Sequence, residues 1–243
     1  MRNTHHLVCF YFLMCVTERC IVMICVDAYI SELVSMLKAQ FGVRLCYVGL
    51  QGSYLRGEAT DSSDIDIMVV IDGLSLADLD SYRTIIESLT DFDKSCGFIC
   101  SKKDLENWNP LEICNLLHST KDYYGVLRKL IPAFTQDDVR NFVKFSLNNL
   151  YHEICHRYIH ADQAHNIQAL PFTYKGAFFI LQNLHYLRSG EFAGTKVELL
   201  ERLDGIDRVV LERLMAYSRG ENCDFAESFE LLFHWCQETL HSL

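Results

Sequence analysis

The spacing of hydrophobic residues changes several times in the first half of the chain, and each change predicts a new element. Apolar residues that recur every three or four positions indicate an amphipathic helix, whereas compact apolar runs rich in Ile and Val are typical of strands. Strand, helix and strand follow one another within about 60 residues, which indicates a small α/β sheet. The pattern predicts a helix from Asp27 that ends at Gly42, strands over 43–52, 63–72 and 96–101, and a helix over 75–89.

The second half of the chain has helical spacing throughout, and no convincing strand is found after Ser101. Several helix starts carry a capping residue followed three positions later by an acid, as at Ser101, Thr195 and Asp224. Pro171 is expected to break the chain between two helices, because proline lacks the backbone N–H that a helix interior uses. The predicted helices run from Asp137 or Asp138 to about His160, from Tyr174 to Arg188, from Thr195, from Arg208 to Arg219, and from Asp224.

These elements predict two domains of different class. The expected fold class is α/β (α+β) with a small mixed sheet, followed by an all-helical C-terminal domain. We assign residues 26–118 to the α/β domain with its connecting helix, and residues 119–243 to a helical substrate-binding domain. Residues 1–25 are interpreted as an extension or a non-native start, with Met23 as the natural first residue, because the globular pattern becomes coherent only from there.

Composition narrows the expected partners. Half of the 243 residues are hydrophobic, which is enough for a substantial core, and the formal net charge of -10 would repel nucleic acid. The 11 cysteines follow no zinc-binding spacing and mostly lie among apolar residues, which favours a reducing, cytoplasmic setting. The apolar run over 7–16 is too short to span a membrane. Neither nucleic acid nor a membrane is therefore expected as a partner, whereas a homodimer stays open.

Two acids stand at the start of the second predicted strand. Asp64 and Asp66 are two positions apart, so on a strand their side chains point to the same face and repel each other. A divalent cation would stabilise the pair, and Mg²⁺ is the natural candidate because it prefers carboxylate and phosphate oxygens. Upstream, Gly52 and Ser53 would begin a helix whose backbone N–H groups can bind phosphate. The stretch therefore predicts a site for a nucleoside triphosphate and its metal.

The sequence "GSYLRGEATDSSDIDI", residues 52–67, resembles the signature of the DNA polymerase β-like nucleotidyltransferases. It is also similar to minimal and aminoglycoside (kanamycin-type) nucleotidyltransferases, which often carry an Arg-Gly pair in this loop. A Gln between the apolar residue and the glycine is a slight departure from the signature. The resemblance implies that Asp64 and Asp66 are catalytic and bind Mg²⁺, with two ions expected, and that Gly52, Ser53 and Arg56 bind the nucleotide.

The resemblance also implies a third carboxylate on the next strand, and there the chain departs from the pattern. The stretch over 95–101 has no acid, and Gly97 stands where the aspartate is expected. In kanamycin-type enzymes the base is a glutamate on a helix of the second domain. Glu153 is then the candidate general base, and Arg157, one turn later, a candidate ligand for phosphate. The alternative interpretation is a surface glutamate that pairs with Arg157 along the helix.

The resemblance therefore predicts a Mg-dependent enzyme that moves a nucleoside monophosphate, AMP from ATP before others, to a hydroxyl of an acceptor. The acceptor would lie between the two domains, where pockets are common. A small molecule such as an aminoglycoside-like antibiotic is expected before a protein hydroxyl. The alternative is a non-catalytic nucleotide-binding module, regulatory or antitoxin-like, that has lost the third acid.

Overall fold

The computed structural model describes residues 24–243. The interpretation of residues 1–25 as an extension therefore falls almost wholly outside the described residues. The strands are β1 (Leu45–Leu50), β2 (Ile65–Ile71), β3 (Ser95–Ser101) and β4 (Lys121–Tyr124). The helices are α1 (Val26–Phe41), α2 (Gly52–Arg56), α3 (Leu76–Glu87), α4 (Lys102–Glu106), α5 (Pro110–His118), α6 (Gln136–His160), α7 (Gln163–Ser189), α8 (Lys196–Arg202), α9 (Gly205–Ser218) and α10 (Phe225–Ser242).

The strands form one mixed sheet in the order β3-β2-β1-β4. Strand β2 pairs antiparallel with β1 and parallel with β3, and β4 pairs antiparallel with the other edge of β1. The parallel pair needs a crossover, which α3 provides. A small mixed sheet followed by helices confirms the predicted fold class.

Strand β2 is apolar on both faces because other elements cover both of them. Ile65 and Ile67 pack with side chains of α1 in one cluster. Met68 and Val70 pack in a second cluster, which includes Leu105 of α4. Side chains alternate along a strand, so the side chains at even positions of β2, including residue 66, share the face of this second cluster.

The helical half has its own core. Helices α6 and α7 pack along each other, and α9 and α10 close the core around the buried Trp235. The indole N–H of Trp235 donates a hydrogen bond to the buried carboxylate of Asp207 at 2.6 Å, so a polar group inside this core keeps a partner. The predicted caps are confirmed, since Ser101, Thr195 and Asp224 each accept a hydrogen bond from a backbone N–H three residues on.

The prediction of no strand after Ser101 is wrong. Strand β4 covers Lys121–Tyr124 and pairs with β1, so the sheet extends beyond residue 118, where the helical domain was expected to begin. Its four residues are exposed or half-buried, which is typical of a sheet edge. Such a strand leaves no run of apolar residues in the sequence for a pattern search to detect.

The predicted break at Pro171 is also wrong. Helix α7 begins at Gln163, not at Tyr174, and passes through the proline. Leu170 and Tyr174 flank the proline and are buried in the helical core, so packing outweighs the backbone hydrogen bond that the proline forgoes. Helix α9 likewise begins earlier than predicted, at Gly205.

Within residues 24–243, no helix is long and apolar enough to cross a membrane. The apolar run over 7–16 lies outside that search. The cysteines of residues 24–243 are free thiols.

Candidate active site

The two predicted metal ligands lie at the N-terminal end of the central strand. Asp64 is exposed just ahead of β2, and Asp66 is half-buried as its second residue. Asp66 lies in the strand, so its side chain projects to the face that Met68 occupies deeper in the sheet. Asp64 lies outside the strand, and its common orientation with Asp66 stays a prediction.

Gly52 lies directly against the carboxylate of Asp66. The backbone N–H of Gln51 donates to the carbonyl oxygen of Asp66 at 2.8 Å, which brings the two ends of the signature together. Gly52 has a φ of +70°, and a Cβ atom at this position would stand 1.9 Å from Oδ2 of Asp66. A glycine is required here on two grounds, its backbone conformation and the space that the carboxylate fills.

The short helix α2 carries Ser53 and Arg56 and ends in a glycine cap. Gly57 adopts the left-handed conformation, with a φ of +67°, and the backbone N–H of Glu58 donates to the carbonyl oxygen of Ser53 at 2.9 Å. This is the hydrogen bond of a Schellman motif, in which the chain turns back beside the helix it has just left. Glu58 is thereby held close to Ser53.

Arg56 and Glu58 meet the helical half of the chain. Nε of Arg56 lies 3.1 Å from Oε2 of Glu58, and the ammonium of Lys196 contacts the same oxygen. The backbone N–H of Lys196 donates to Oε1 of Glu58 at 2.9 Å. Both cations also lie over the ring of Phe178 on α7, at 5.8 Å for Arg56 and 5.2 Å for Lys196. We call these four side chains the Glu58 cluster. They connect the signature loop, residues 52–64, to α7 and α8.

Charge balance keeps the Glu58 cluster ionised. Burial acts to raise the pKa of Glu58, but hydrogen bonds from Lys196 and Arg56 outweigh it, and the net pKa lies below its ordinary value. The carboxylate is therefore charged at neutral pH, and with two cations the cluster carries one net positive charge beside Ser53.

Sequence reasoning missed Lys196 and assigned no role to Glu58. Lys196 is 138 positions away from Glu58 along the chain, so no local pattern links them. The nearest signal was the cap "TKVE", which placed Lys196 at the first turn of a predicted helix. Only the packing of α8 against the signature loop shows that the two residues meet.

The predicted position of the missing acid needs correction. Parallel pairing sets Gly97 opposite Ile67, whose side chain faces α1, and sets Cys96 opposite Asp66. A Cβ atom at Gly97 would stand 2.0 Å from the carbonyl oxygen of Ile67, so this position excludes any side chain. Cys96, rather than Gly97, therefore occupies the neighbouring strand on the Asp66 face. Burial raises the pKa of the Cys96 thiol, and the nearby charge of Asp66 adds to this effect.

The polar contacts of Glu153 and Arg157 in residues 24–243 lie within α6 and α7. They pair with each other on α6, with 3.3 Å between Nη1 of Arg157 and Oε1 of Glu153, as the alternative interpretation had it. Both line an open groove between α6 and α7, and Nη2 of Arg157 donates to Thr173 of α7 at 2.6 Å. Thr173 lies on the opposite side of α7 from Phe178, because five residues advance a helix by about 140°. The geometry gives no support to Glu153 as the base or Arg157 as a phosphate ligand.

The acid pair fits a hard metal ion only in part. Within residues 24–243, no group of three or more His, Cys, Asp or Glu side chains is arranged to hold a metal. In the same part of the chain, neither Asp64 nor Asp66 forms an ion pair with a basic side chain. Their carboxylate oxygens suit Mg²⁺, which usually takes one or two protein carboxylates and completes its shell with phosphate and water.

Comparison with known proteins agrees with this geometry. A family model described as a nucleotidyltransferase domain matches residues 30–108. A Methanocaldococcus jannaschii chain that carries the name of a protein adenylyltransferase is 29% identical over 102 residues, which are 39% of this chain and 69% of that relative. The crystal structure of spectinomycin adenyltransferase from Enterococcus faecalis, solved with ATP and spectinomycin, superposes with a TM-score of 0.55 at 16% identity. It covers 88% of this chain and 99% of that one.

The domain match spans β1 to β3, the part of the chain that holds Gly52, Asp64 and Asp66. The likeness to the solved adenyltransferase extends the common fold through the helical half. The chain is a nucleotidyltransferase. The matched domain contains the whole signature, residues 52–67.

Proposed function

We propose that this protein transfers AMP from ATP to a hydroxyl group of an acceptor. The observation that carries the proposal is the contact between Gly52 and Asp66, which places a backbone able to approach a phosphate against a carboxylate able to bind its metal. The names of the relative and of the solved structure, both adenyltransferases, support AMP as the transferred group.

The residues of the site have distinct roles in this proposal. Gly52 and Ser53 bind the triphosphate through the backbone and the hydroxyl, and the cations of the Glu58 cluster balance its charge. Asp64 and Asp66 would hold Mg²⁺, which when bound draws charge from the phosphate oxygens and favours the departure of pyrophosphate. The acceptor oxygen bonds to the α-phosphorus as the bond from that phosphorus to pyrophosphate breaks, and the proton of the acceptor hydroxyl passes to solvent water.

The acceptor in this proposal is a small molecule held between the signature loop and the helical half. That the solved adenyltransferase was crystallised with spectinomycin supports a small hydroxylated acceptor. The name of the M. jannaschii relative supports the second candidate, a protein hydroxyl. The acidic surface, with a net charge of -10, favours a cationic acceptor of either kind over a nucleic acid.

Transfer of label from ATP tests this proposal. The protein is incubated with ATP labelled at the α-phosphate, MgCl₂ and a panel of aminoglycosides, spectinomycin and candidate proteins, and labelled products and pyrophosphate are measured. Asp64→Asn and Asp66→Asn should each lower the rate by about 100-fold or more, because each removes a charge that stabilises the transition state.

Asp61→Asn is the matched control, because Asp61 is an exposed loop acid of the same stretch and should leave the rate nearly unchanged. Labelling of a protein and of no small molecule would select the second acceptor class. ATP binding without label transfer to any acceptor would contradict the proposal and favour the non-catalytic nucleotide-binding module.

A further inference from the structure

Glu58 contacts groups from both halves of the chain at once. Its Oε1 accepts from the backbone N–H of Lys196 at 2.9 Å, and its Oε2 accepts from the Lys196 ammonium and from Nε of Arg56 at 3.1 Å. Less than a fifth of each Arg56 and Glu58 side chain is exposed, so the pair is shielded from competing water. This carboxylate therefore fixes where both cations stand.

Glu58 lies next to Ser53, the residue that binds the triphosphate in the proposed function. Its own backbone N–H donates to the carbonyl oxygen of Ser53 at 2.9 Å, through the turn at Gly57. Ser53 is the second residue of α2, and Arg56 is the last. Arg56 is thus carried by the same short helix that carries the serine, and Lys196 of α8 joins it through Glu58.

Both cations keep donors for a further ligand. Arg56 donates to Glu58 through Nε, and its two Nη groups form no hydrogen bond to a side chain or backbone group of residues 24–243. Lys196 uses one of its three side-chain protons on Glu58. The guanidinium and the ammonium lie over Phe178, which limits their freedom to turn away.

We infer that Glu58 is a positioning residue, which holds Arg56 and Lys196 beside Ser53 so that their remaining donors meet the β- and γ-phosphates of the nucleotide. The inference rests on the proposed function, since it requires a triphosphate at Ser53. Cations that are fixed in advance lose less conformational freedom when the ligand binds, and this raises affinity.

The test compares ATP with AMP. Dissociation constants for both nucleotides are measured in MgCl₂ for the wild-type protein, Glu58→Gln and the matched control Glu221→Gln, which changes a glutamate that also pairs with an arginine two positions away, Arg219. Glu58→Gln should weaken ATP about tenfold, the scale of one charge-assisted hydrogen bond, and should leave AMP nearly unchanged because AMP lacks the outer phosphates. Glu221→Gln should change neither dissociation constant.

A double-mutant cycle with Lys196→Gln separates positioning from general damage. If Glu58 acts through Lys196, the double variant should bind ATP little worse than Lys196→Gln alone, whereas independent effects would add. Thermal unfolding is followed for every variant. If Glu58→Gln does not fold, Glu58→Asp replaces it, because it keeps the charge but is too short to reach both Lys196 donors, and the same ATP-specific loss should appear.

The outcomes distinguish the two proposals. A wild-type protein that binds no ATP overturns the proposed function and this inference together. ATP binding that is equal in the wild type and Glu58→Gln overturns the inference alone. Tighter ATP binding by Glu58→Gln also overturns it, since Glu58 would then compete with phosphate for the cations. Equal losses for ATP and AMP would indicate damage to the fold instead of positioning.

Discussion

Two arginine–glutamate pairs in this chain have equally buried arginines but differ in the exposure and the partners of their glutamates. Arg56 and Glu58 lie two positions apart in a turn, with 15% and 19% of their side chains exposed, and Lys196 joins them from the other half of the chain. Arg157 and Glu153 lie one helical turn apart on α6, and the glutamate is 56% exposed. The first pair connects two regions of the protein, and the second lies within α6.

The contrast between the two pairs shows which kind of sequence pattern carries functional information. A glutamate four positions before an arginine is a common stabilising pair on any helix surface, so the spacing of Glu153 and Arg157 says little about chemistry. Arg56 and Glu58 sit in a loop that must turn at Gly57 and must leave room for Asp66. Where the backbone conformation permits only a few residue types, the residues found there indicate a functional site.

The largest effect in this comparison is expected from Gly52→Ala. The new Cβ atom would stand 1.9 Å from Oδ2 of Asp66, so the carboxylate must move away from its place beside α2. A displacement of about 1 Å at a reacting centre can cost about 100-fold in rate, and we expect a loss of that size. Steady-state rates of AMP transfer, or of pyrophosphate release, measure it.

Gly57→Ala is the matched control for Gly52→Ala. Both glycines have positive φ, +70° and +67°, so each substitution should lower the free energy of unfolding by about 1–2 kcal/mol. A Cβ atom at Gly57 meets no other atom within 4 Å, so Gly57→Ala should lower the rate of AMP transfer far less than Gly52→Ala does. Equal rate losses in the two variants would show that the contact with Asp66 is unimportant.

A smaller, opposite effect is expected from Cys96→Asp. Cys96 pairs with Asp66 in the sheet register, so an acid there would add a third carboxylate on the same face. More carboxylate ligands bind a divalent cation more tightly, and the Mg²⁺ concentration for half-maximal ATP binding should fall about tenfold. Without metal, repulsion among three acids should lower the melting temperature.

Cys96→Ser controls for the loss of the thiol, because it is close in size and adds no charge. It should leave the Mg²⁺ requirement as in the wild type. A Cys96→Asp variant with an unchanged Mg²⁺ requirement would show that this position does not face the metal, and the assignment of the missing acid would need another strand position.

Local rules predicted the parts of the site that lie close together in sequence. The strand, the glycine turn and the paired aspartates all fall within 45–71, where hydrophobic spacing and turn chemistry determine the backbone. The side-chain face of Cys96 was predictable only once the pairing of β2 with β3 was known, because a slip of one residue moves every side chain to the other face.

Such local rules could not predict contacts between residues that are far apart in the sequence. Strand β4 was missed because an exposed edge strand of four residues has no apolar pattern. Lys196 was missed because its partner Glu58 is 138 positions away. Glu153 was selected because it stands among apolar residues, but Tyr151, Ile154 and Cys155 pack in the helical core, whereas Glu153 is exposed at the groove between α6 and α7.

The smallest effect is expected from Glu153→Gln, and it tests the second pair directly. A helix pair of this spacing contributes about 0.2–0.5 kcal/mol, and the Glu153 side chain is exposed, so the free energy of unfolding should change by no more than that. The rate of AMP transfer should change by less than about twofold. Arg157→Gln should destabilise the protein more, because it also removes the hydrogen bond to Thr173, and should still leave the rate nearly unchanged.

A tenfold fall in kcat for Glu153→Gln at unchanged stability would mean that α6 reaches the acceptor after all. Helix α7 would then have to turn its Thr173 side toward Asp66, which would break the contact of Phe178 with Arg56 and Lys196.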